Sequence, residues 1–335
     1  MSDELGFGIV GTGMVARYHA QAIAATQGAR LVAVCRDAAA DLGVPCEPGL
    51  EALLARGDVD AVCLCSPSGL HAEQAVAAAQ AGKHVLVEKP MALTLPEADA
   101  MIRACREADV RLGVVYQRRT DPVIRELHDA IRAGELGSLV LGTASVPYFR
   151  DSSYYESAAW RGTWALDGGG ALMNQGIHLV DLLLWLMGGE AEVVGASSSA
   201  LARAVEVEDT MVAALRFSNN ARGSLVATTA ASPGFPHRVE VYGTRGGAQI
   251  EGDSVVRWDG ETPRLQQAES GAVGAGAGGA PTGIDVSGHQ RIIEDFTAAI
   301  SEGREPLVNG EEGRRSLALV LAIYAAAGLG AEHHS

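Results

Sequence analysis

Three side chains with chemistry to offer, Asn174, His178 and Asp181, stand at helical spacing in an apolar stretch that opens on three glycines. The run reads Gly168-Gly169-Gly170-Ala171-Leu172-Met173-Asn174-Gln175-Gly176-Ile177-His178-Leu179-Val180-Asp181. The first two are four positions apart and the third is three further on, so a helix brings all of them to one face. Buried amide, imidazole and carboxylate groups cost free energy unless each finds a partner. A lone histidine in such a setting is usually satisfied core. Three polar groups on one face behind a glycine entry point to a site instead. The chemistry they suit is proton transfer, because an imidazole titrates near neutral pH and serves as a general base. Asn174 carries no charge and suits the positioning of a hydroxyl. Asp181, one turn beyond His178, either orients the imidazole or meets solvent at the helix end.

Composition narrows what this face acts on. At 335 residues and 47% hydrophobic the chain fits two domains with ample core. A formal charge of -15 argues against nucleic acid or an anionic membrane surface as partner, though not against an anionic small molecule. No apolar run reaches the length of a membrane span, and the chain opens on a strand, so no signal peptide is expected. The five cysteines (Cys35, Cys46, Cys63, Cys65, Cys105) lack metal-type spacing, so no metal is expected. Cys63 and Cys65 alternate on one apolar strand and pack as reduced thiols, consistent with a cytoplasmic protein.

The elements that position the face fall into two rhythms. From residue 5 to about 118, strands at 5–10, 30–35, 61–65, 84–87 and 111–115 alternate with helical stretches at 14–25, 49–56, 69–81 and 96–108. That alternation implies βαβ crossovers and an α/β Rossmann-type doubly wound parallel sheet. After residue 139, strand-like runs at 139–147, 191–199, 207–217, 222–230, 238–242 and 254–258 follow glycine-bearing turns such as Thr244-Arg245-Gly246-Gly247. They imply an α+β domain with an open, mostly antiparallel sheet, covered on one face by a helix at 171–187. Residues 271–283 are low-complexity and read as a loop; helices at 285–302 and 311–328 close the chain. The expected organisation is a dinucleotide-binding domain at 1–120, a substrate and oligomerisation domain at 121–310, and a helix at 311–330 packing back on the first.

Gly11-Thr12-Gly13-Met14-Val15-Ala16 directly follows the first strand. The first glycine permits the tight turn, the second lets backbone approach a pyrophosphate, and small Ala16 lets helix pack on strand. Phosphates then meet the positive end of the helix dipole. The second strand ends in Arg36-Asp37: arginine accommodates the 2′-phosphate of NADP, whereas an acidic residue bonds the ribose of NAD. Both cofactors stay open, with a lean to NAD because Asp37 would repel the phosphate.

The fourth strand runs into Val87-Glu88-Lys89-Pro90. A strand-end Glu-Lys-Pro after Gly-x-Gly-x-x-Ala and before Gly-Gly-Gly-x-Leu-x-Asn-x-Gly-x-His-x-x-Asp resembles the Gfo/Idh/MocA oxidoreductases. The resemblance spans nearly the whole chain, including Cys65-Ser66-Pro67-Ser68-Gly69-Leu70-His71, Gly82-Lys83-His84-Val85 and Pro306-Leu307-Val308-Asn309-Gly310-Glu311-Glu312-Gly313. It implies hydride transfer between NAD(P) and a hydroxyl carbon of a sugar, cyclitol or nucleotide sugar, in a homodimer or homotetramer built through the open sheet. On this resemblance Lys89 bonds the reacting oxygen and shares proton transfer, His178 is the base and Asn174 assists. Pro90 fixes the turn, through a cis bond, that presents Lys89. Cofactor contacts fall to Gly11, Thr12, Gly13, Met14, Val15, Arg36, Asp37, Cys65, Ser66, Pro67, His71, Glu88, Lys89, Gln117, Trp160 and Arg161. Substrate contacts fall to Arg119, Arg150, Tyr155, Asn174, His178 and His289, while Trp164 reads as core. Many members carry aspartate where this chain has Asn174, and asparagine there resembles enzymes that oxidise C3 of nucleotide sugars. A redox-assisted glycoside hydrolase and a non-catalytic dinucleotide sensor are the competing readings.

Overall fold

The computed structural model describes residues 4–11, 13–35, 42–263, 265 and 286–329. Thr12, Arg36, Asp37 and the 271–283 stretch lie outside the described residues. The chain divides into two compact units, Met1–Thr120 with Asp285–Arg314 and Asp121–Ile284 with Arg315–Ser335.

The first unit is built on β1 (Leu5–Val10), β2 (Ala29–Cys35), β3 (Cys46–Glu47), β4 (Ala61–Leu64), β5 (His84–Val87) and β6 (Leu112–Val114). They form one sheet in the order β3-β2-β1-β4-β5-β6, with every pairing parallel. Such strands are covered on both faces and read as continuous apolar runs, as in the fully buried Ala61–Leu64. The order reverses between β1 and β4, the switch point outside whose carboxyl ends open α/β sheets bind ligands. Its helices are α1 (Met14–Ala25), α2 (Leu50–Leu54), α3 (His71–Gln80) and α4 (Leu95–Glu107), the last opened by a Thr94–Glu97 capping box.

The second unit carries β7 (Leu139–Pro147), β8 (Ala191–Ser199), β9 (Thr210–Phe217), β10 (Arg222–Thr228), β11 (Arg238–Gly243), β12 (Gly247–Glu251) and β13 (Ser254–Trp258). Their order is β13-β12-β11-β7-β10-β9-β8, antiparallel except where β10 runs parallel to β7. β9 alternates buried and exposed residues, the signature of a sheet covered on one face. Helices α5 (Pro122–Arg132), α6 (Ser152–Glu156) and α7 (Ile177–Met187) belong to this unit. α7 covers the sheet closely: a Cβ on Gly142 of β7 would meet Met187 Sδ at 2.6 Å. On the open face Val194 and Val212 stay 67% and 47% exposed.

Several elements differ from the sequence expectation. β3 and β12 are additional strands, the first missed because two residues carry no period and the second because its start overlaps the Gly246-Gly247 turn signal. α5, capped by Asp121 and opened by Pro122, was also missed. The largest difference is α8 (Ser287–Glu302), which belongs to the first unit. Its Ile292, Ile293 and Phe296 share a buried cluster with Phe7 and Ile9 of β1, the two phenyl rings 6.5 Å apart. In the closing helix α9 (Gly310–Ala326), residues to Arg314 count with the first unit and the rest with the second.

α8 thus completes the first unit's core from nearly the end of the chain. Phe296→Ala is expected to cost about 3–5 kcal/mol, the usual range for an emptied phenyl site. Urea unfolding measures it, and a loss below about 1 kcal/mol contradicts that packing role.

Candidate active site

In the first unit a cradle forms where β1 meets α1. Gly11 has φ +104°, and a Cβ there would lie 2.7 Å from the Cys65 carbonyl oxygen. Only glycine fits so close a backbone approach. Gly13 is the N-cap of α1, has no side-chain cap, and a Cβ on it would meet nothing within 4 Å. No acidic residue occupies the first turn, so the helix N–H groups and the positive dipole end are left open to an anion. Met14 is exposed, Val15 half-buried and Ala16 fully buried against the sheet. Across the switch point, Cys65, Ser66 and Pro67 leave β4, with Ser66 Oγ donating to Gln74 Oε1 at 2.6 Å. Beyond β6, Gln117 Oε1 is buried and takes no hydrogen bond among the described residues. Glycine cradle, open helix terminus and waiting amide fit a dinucleotide.

β5 ends in the Glu88-Lys89-Pro90 turn, whose Lys89–Pro90 bond is cis as expected. Lys89 is half-buried, while Glu88 turns into the core. Its Oε1 lies 2.9 Å from His19 Nε2 and 3.6 Å from His289 Nε2, and its Oε2 accepts the Lys89 backbone N–H at 3.2 Å. Burial works to raise this carboxyl, but hydrogen bonds to His19 and His289 outweigh it and hold Glu88 well below the usual range. On the far side of the turn, buried His71 sets Nδ1 2.9 Å from the Pro90 carbonyl and Nε2 3.0 Å from that of Ser66. It ties the two turns together. The set His19, Glu88 and His289 has the make-up of a metal site, its ligand atoms all within 4.8 Å. A metal-bound histidine donates its other N–H outward, however, and neither Nδ1 here has a partner among the described residues. The set reads as a carboxylate held by two imidazoles. His289, expected at substrate, therefore sits in the core, and Arg119 is buried against Glu312 at 2.5 Å.

The second unit holds the polar face. Residues Ala171–Gly176 form a π-helical turn before α7, so the expected continuous α-helix, and the single face drawn from its spacing, does not hold through Asn174. A partner far along the chain accounts for the entry. Buried Glu208 accepts Gly170 N–H on Oε2 and Leu172 N–H on Oε1, each at 2.8 Å, while Met173 N–H donates to Tyr324 Oη at 3.2 Å. A Cβ on Gly170 would fall 1.7 Å from the Glu208 carbonyl oxygen, which explains the glycine cluster. π-turns of this kind recur at functional sites.

Asn174, Gln175 and His178 remain half-buried while their neighbours in the run close over. Asn174 Nδ2 donates to Asp167 Oδ1 at 2.6 Å, and Asp167 Oδ2 accepts the Gly162 N–H at 2.8 Å. Asp167, just before the glycines, is the carboxylate that sequence reasoning overlooked. Asp181 does not meet solvent: it is buried and accepts from Ser316 Oγ at 2.8 Å. Gln175 Nε2 donates to Asn174 Oδ1 at 3.3 Å and to Tyr154 Oη at 3.0 Å. The Arg161 guanidinium stacks 4.3 Å from the Tyr154 ring and 4.8 Å from that of Trp160, with Arg150 5.4 Å from Tyr154. Tyr155 Oη lies 2.9 Å from Thr229 Oγ1, and Trp164 is core, its indole N–H bonded to the Glu206 carbonyl at 3.0 Å.

Comparison with known proteins gives concordant matches. Residues 124–249 match the family model for the GFO/IDH/MocA C-terminal domain, and residues 5–116 match that of an oxidoreductase family with an NAD-binding Rossmann fold. The crystal structure of the WlbA dehydrogenase from Bordetella pertussis, in complex with NADH and UDP-GlcNAcA, is 36% identical with a TM-score of 0.85, covering 97% of this chain and 96% of that one. The 1,5-anhydro-D-fructose reductase of Ensifer adhaerens is 31% identical over 97% of this chain and 96% of its own. The myo-inositol 2-dehydrogenase of Thermotoga maritima is 29% identical over 93% of each.

Burial pushes the Glu208 carboxyl up to about 7, against the pull of the Leu172 and Gly170 N–H groups and the Tyr324 hydroxyl. A folded-state value above the unfolded one favours the fold below the ordinary carboxylate range, and that contribution is lost as pH rises through about 7. Thermal melts are expected to show a lower midpoint just above this window than just below it. Glu208→Gln is expected to flatten that dependence, and an equal slope in both proteins contradicts the assignment.

Proposed function

The chain belongs to the GFO/IDH/MocA oxidoreductases, with their NAD-binding Rossmann fold, and from that premise we propose that it is an NAD-dependent dehydrogenase acting on a secondary hydroxyl of a nucleotide sugar. The observation that carries the cofactor half is the cradle of Gly11 and Gly13 over an uncapped helix terminus. The substrate half draws on Asn174 and on the similarity to the WlbA dehydrogenase, whose structure holds an acidic nucleotide sugar. NAD is favoured over NADP by the NADH in that relative.

A secondary alcohol that loses a hydride must also lose its hydroxyl proton, so a base is required. His178 takes that proton, its half-buried imidazole being the ring on this face that can accept one. Lys89 donates a hydrogen bond to the reacting oxygen and steadies the charge that develops there. Asn174, its amide nitrogen committed to Asp167, offers its carbonyl oxygen to a substrate hydroxyl; because it cannot ionise, it leaves proton transfer to His178 and Lys89. Trp160 and Arg161 serve the cofactor, while Arg150 and Tyr155 line the substrate. When bound, the nicotinamide supplies the hydride acceptor or donor. The open face bearing Val194 and Val212 serves homo-oligomer contact. No helix among the described residues is long and apolar enough to cross a membrane, and thiols kept reduced fit a cytoplasmic setting.

A panel of sugars, inositols and nucleotide sugars, assayed with NAD and with NADP by absorbance of the reduced cofactor, is expected to yield turnover on nucleotide sugars with NAD. Glycoside cleavage without net cofactor reduction would instead indicate redox-assisted hydrolysis. His178→Asn is expected to slow the chemical step by about 10²–10⁴, and a loss below about tenfold contradicts its role as base.

A further inference from the structure

The cluster behind Lys89 holds one charge and three donors. His19 arrives from α1 and His289 from α8, their rings edge to face at 5.3 Å and 80°, with the Tyr18 ring 6.0 Å from that of His289. All three members are buried. Neither Nδ1 has a partner among the described residues. A neutral ring carrying its proton on Nε2 leaves only a lone pair at that buried position, whereas an imidazolium would bury an unpaired N–H. Burial lowers the pKa of His19 despite Glu88 beside it, so that ring is a neutral donor. The other titratable groups nearby are Cys63 and Cys65, whose thiols burial pushes up and so keeps neutral, together with His71 and Lys89. The charge of the cluster resides on Glu88.

We propose that His19 and His289 are positioning residues that keep Glu88 ionised in the core and, through it, hold both the backbone and the charge of Lys89. The proposal rests on the reading of Lys89 as the group bonded to the reacting oxygen. One carboxylate oxygen faces the two imidazoles and the other takes the Lys89 N–H, so the carboxylate plane is fixed from both ends. Loss of an imidazole donor leaves the buried anion short of partners and drives it to take up a proton. Lys89 then loses a counter-charge and its backbone loses an acceptor at the same moment. His71 grips the Pro90 carbonyl beyond, so the turn still closes and the defect appears at Lys89 rather than in the fold.

Only two lysines occur in the chain, Lys83 and Lys89, which makes the test direct. Lys83 Nζ donates to the carbonyls of Arg56 and Val59 at 3.1 and 2.8 Å, and Lys83→Arg assigns its signal. Both amines are tagged by reductive methylation with labelled carbon and titrated by NMR in the full-length protein without cofactor. Glu88→Gln keeps the shape and removes the charge, and is expected to lower the Lys89 pKa by about one pH unit. His289→Phe is expected to shift it the same way, and His289→Gln, which restores a donor, to return it toward wild type. On any sugar that is turned over, kcat of Glu88→Gln and His289→Phe falls about tenfold or more while KM stays within about threefold. If His289→Phe does not fold, Glu88→Gln and His289→Gln carry the comparison. An unchanged Lys89 titration in Glu88→Gln overturns the proposal whatever the protein turns over. A sugar panel without turnover overturns the functional reading instead and leaves this titration to decide.

Discussion

A carboxylate removed from water must collect donors, and that requirement shapes a turn in each of the two units. Glu88 in the first unit and Glu208 in the second are each almost fully buried; Glu88 takes one backbone N–H from the turn around it and Glu208 takes two. Glu88 faces His19 and His289 and takes the backbone of Lys89. Glu208 gathers Gly170, Leu172 and Tyr324, and so sets how the chain enters the turn bearing Asn174. An unmade bond to either buried group would cost about 1–3 kcal/mol, comparable to a sizeable part of a domain's net stability. The geometry of Lys89 and Asn174 is thus tied to the stability of the fold rather than left to mobile loops.

Asp167 adds a third case with a different outcome. Its two oxygens are spent on Gly162 N–H and the Asn174 amide, so the carboxylate absent from position 174 returns one step behind it. The charge lies next to the face without being on it. Asn174 is thereby oriented with its carbonyl oxygen turned to other partners, among them Gln175.

Features set by local pattern were legible in the sequence. The glycine cradle could be read because its spacing follows directly on an apolar strand, and the parallel sheet because strands and helices alternate. The polar face was visible as Asn174 and His178 in an apolar run, yet its helical form was not: a π-turn and an α-turn share nearly the same residues, and the choice here is made by Glu208, 38 positions from Gly170. Partners that meet only through the fold stayed hidden for the same reason. His289 looked like a substrate contact because nothing local marks it as the neighbour of Glu88, and α8 looked like part of the second domain because chain order does not show that it covers β1. Arg119 follows the end of β6 as its place in the chain implies, but its guanidinium is bonded to Glu312, a residue remote in sequence.

In the proposed reaction a bound nicotinamide would supply the hydride acceptor, and Lys89 and His178 would handle only the proton. That division is tested by a nucleotide sugar deuterated at the reacting carbon, with mass spectrometry of cofactor, product and water after a single turnover. The deuterium is expected to be recovered on the nicotinamide, in wild type and in slowed His178→Asn alike. Deuterium released to water would contradict it.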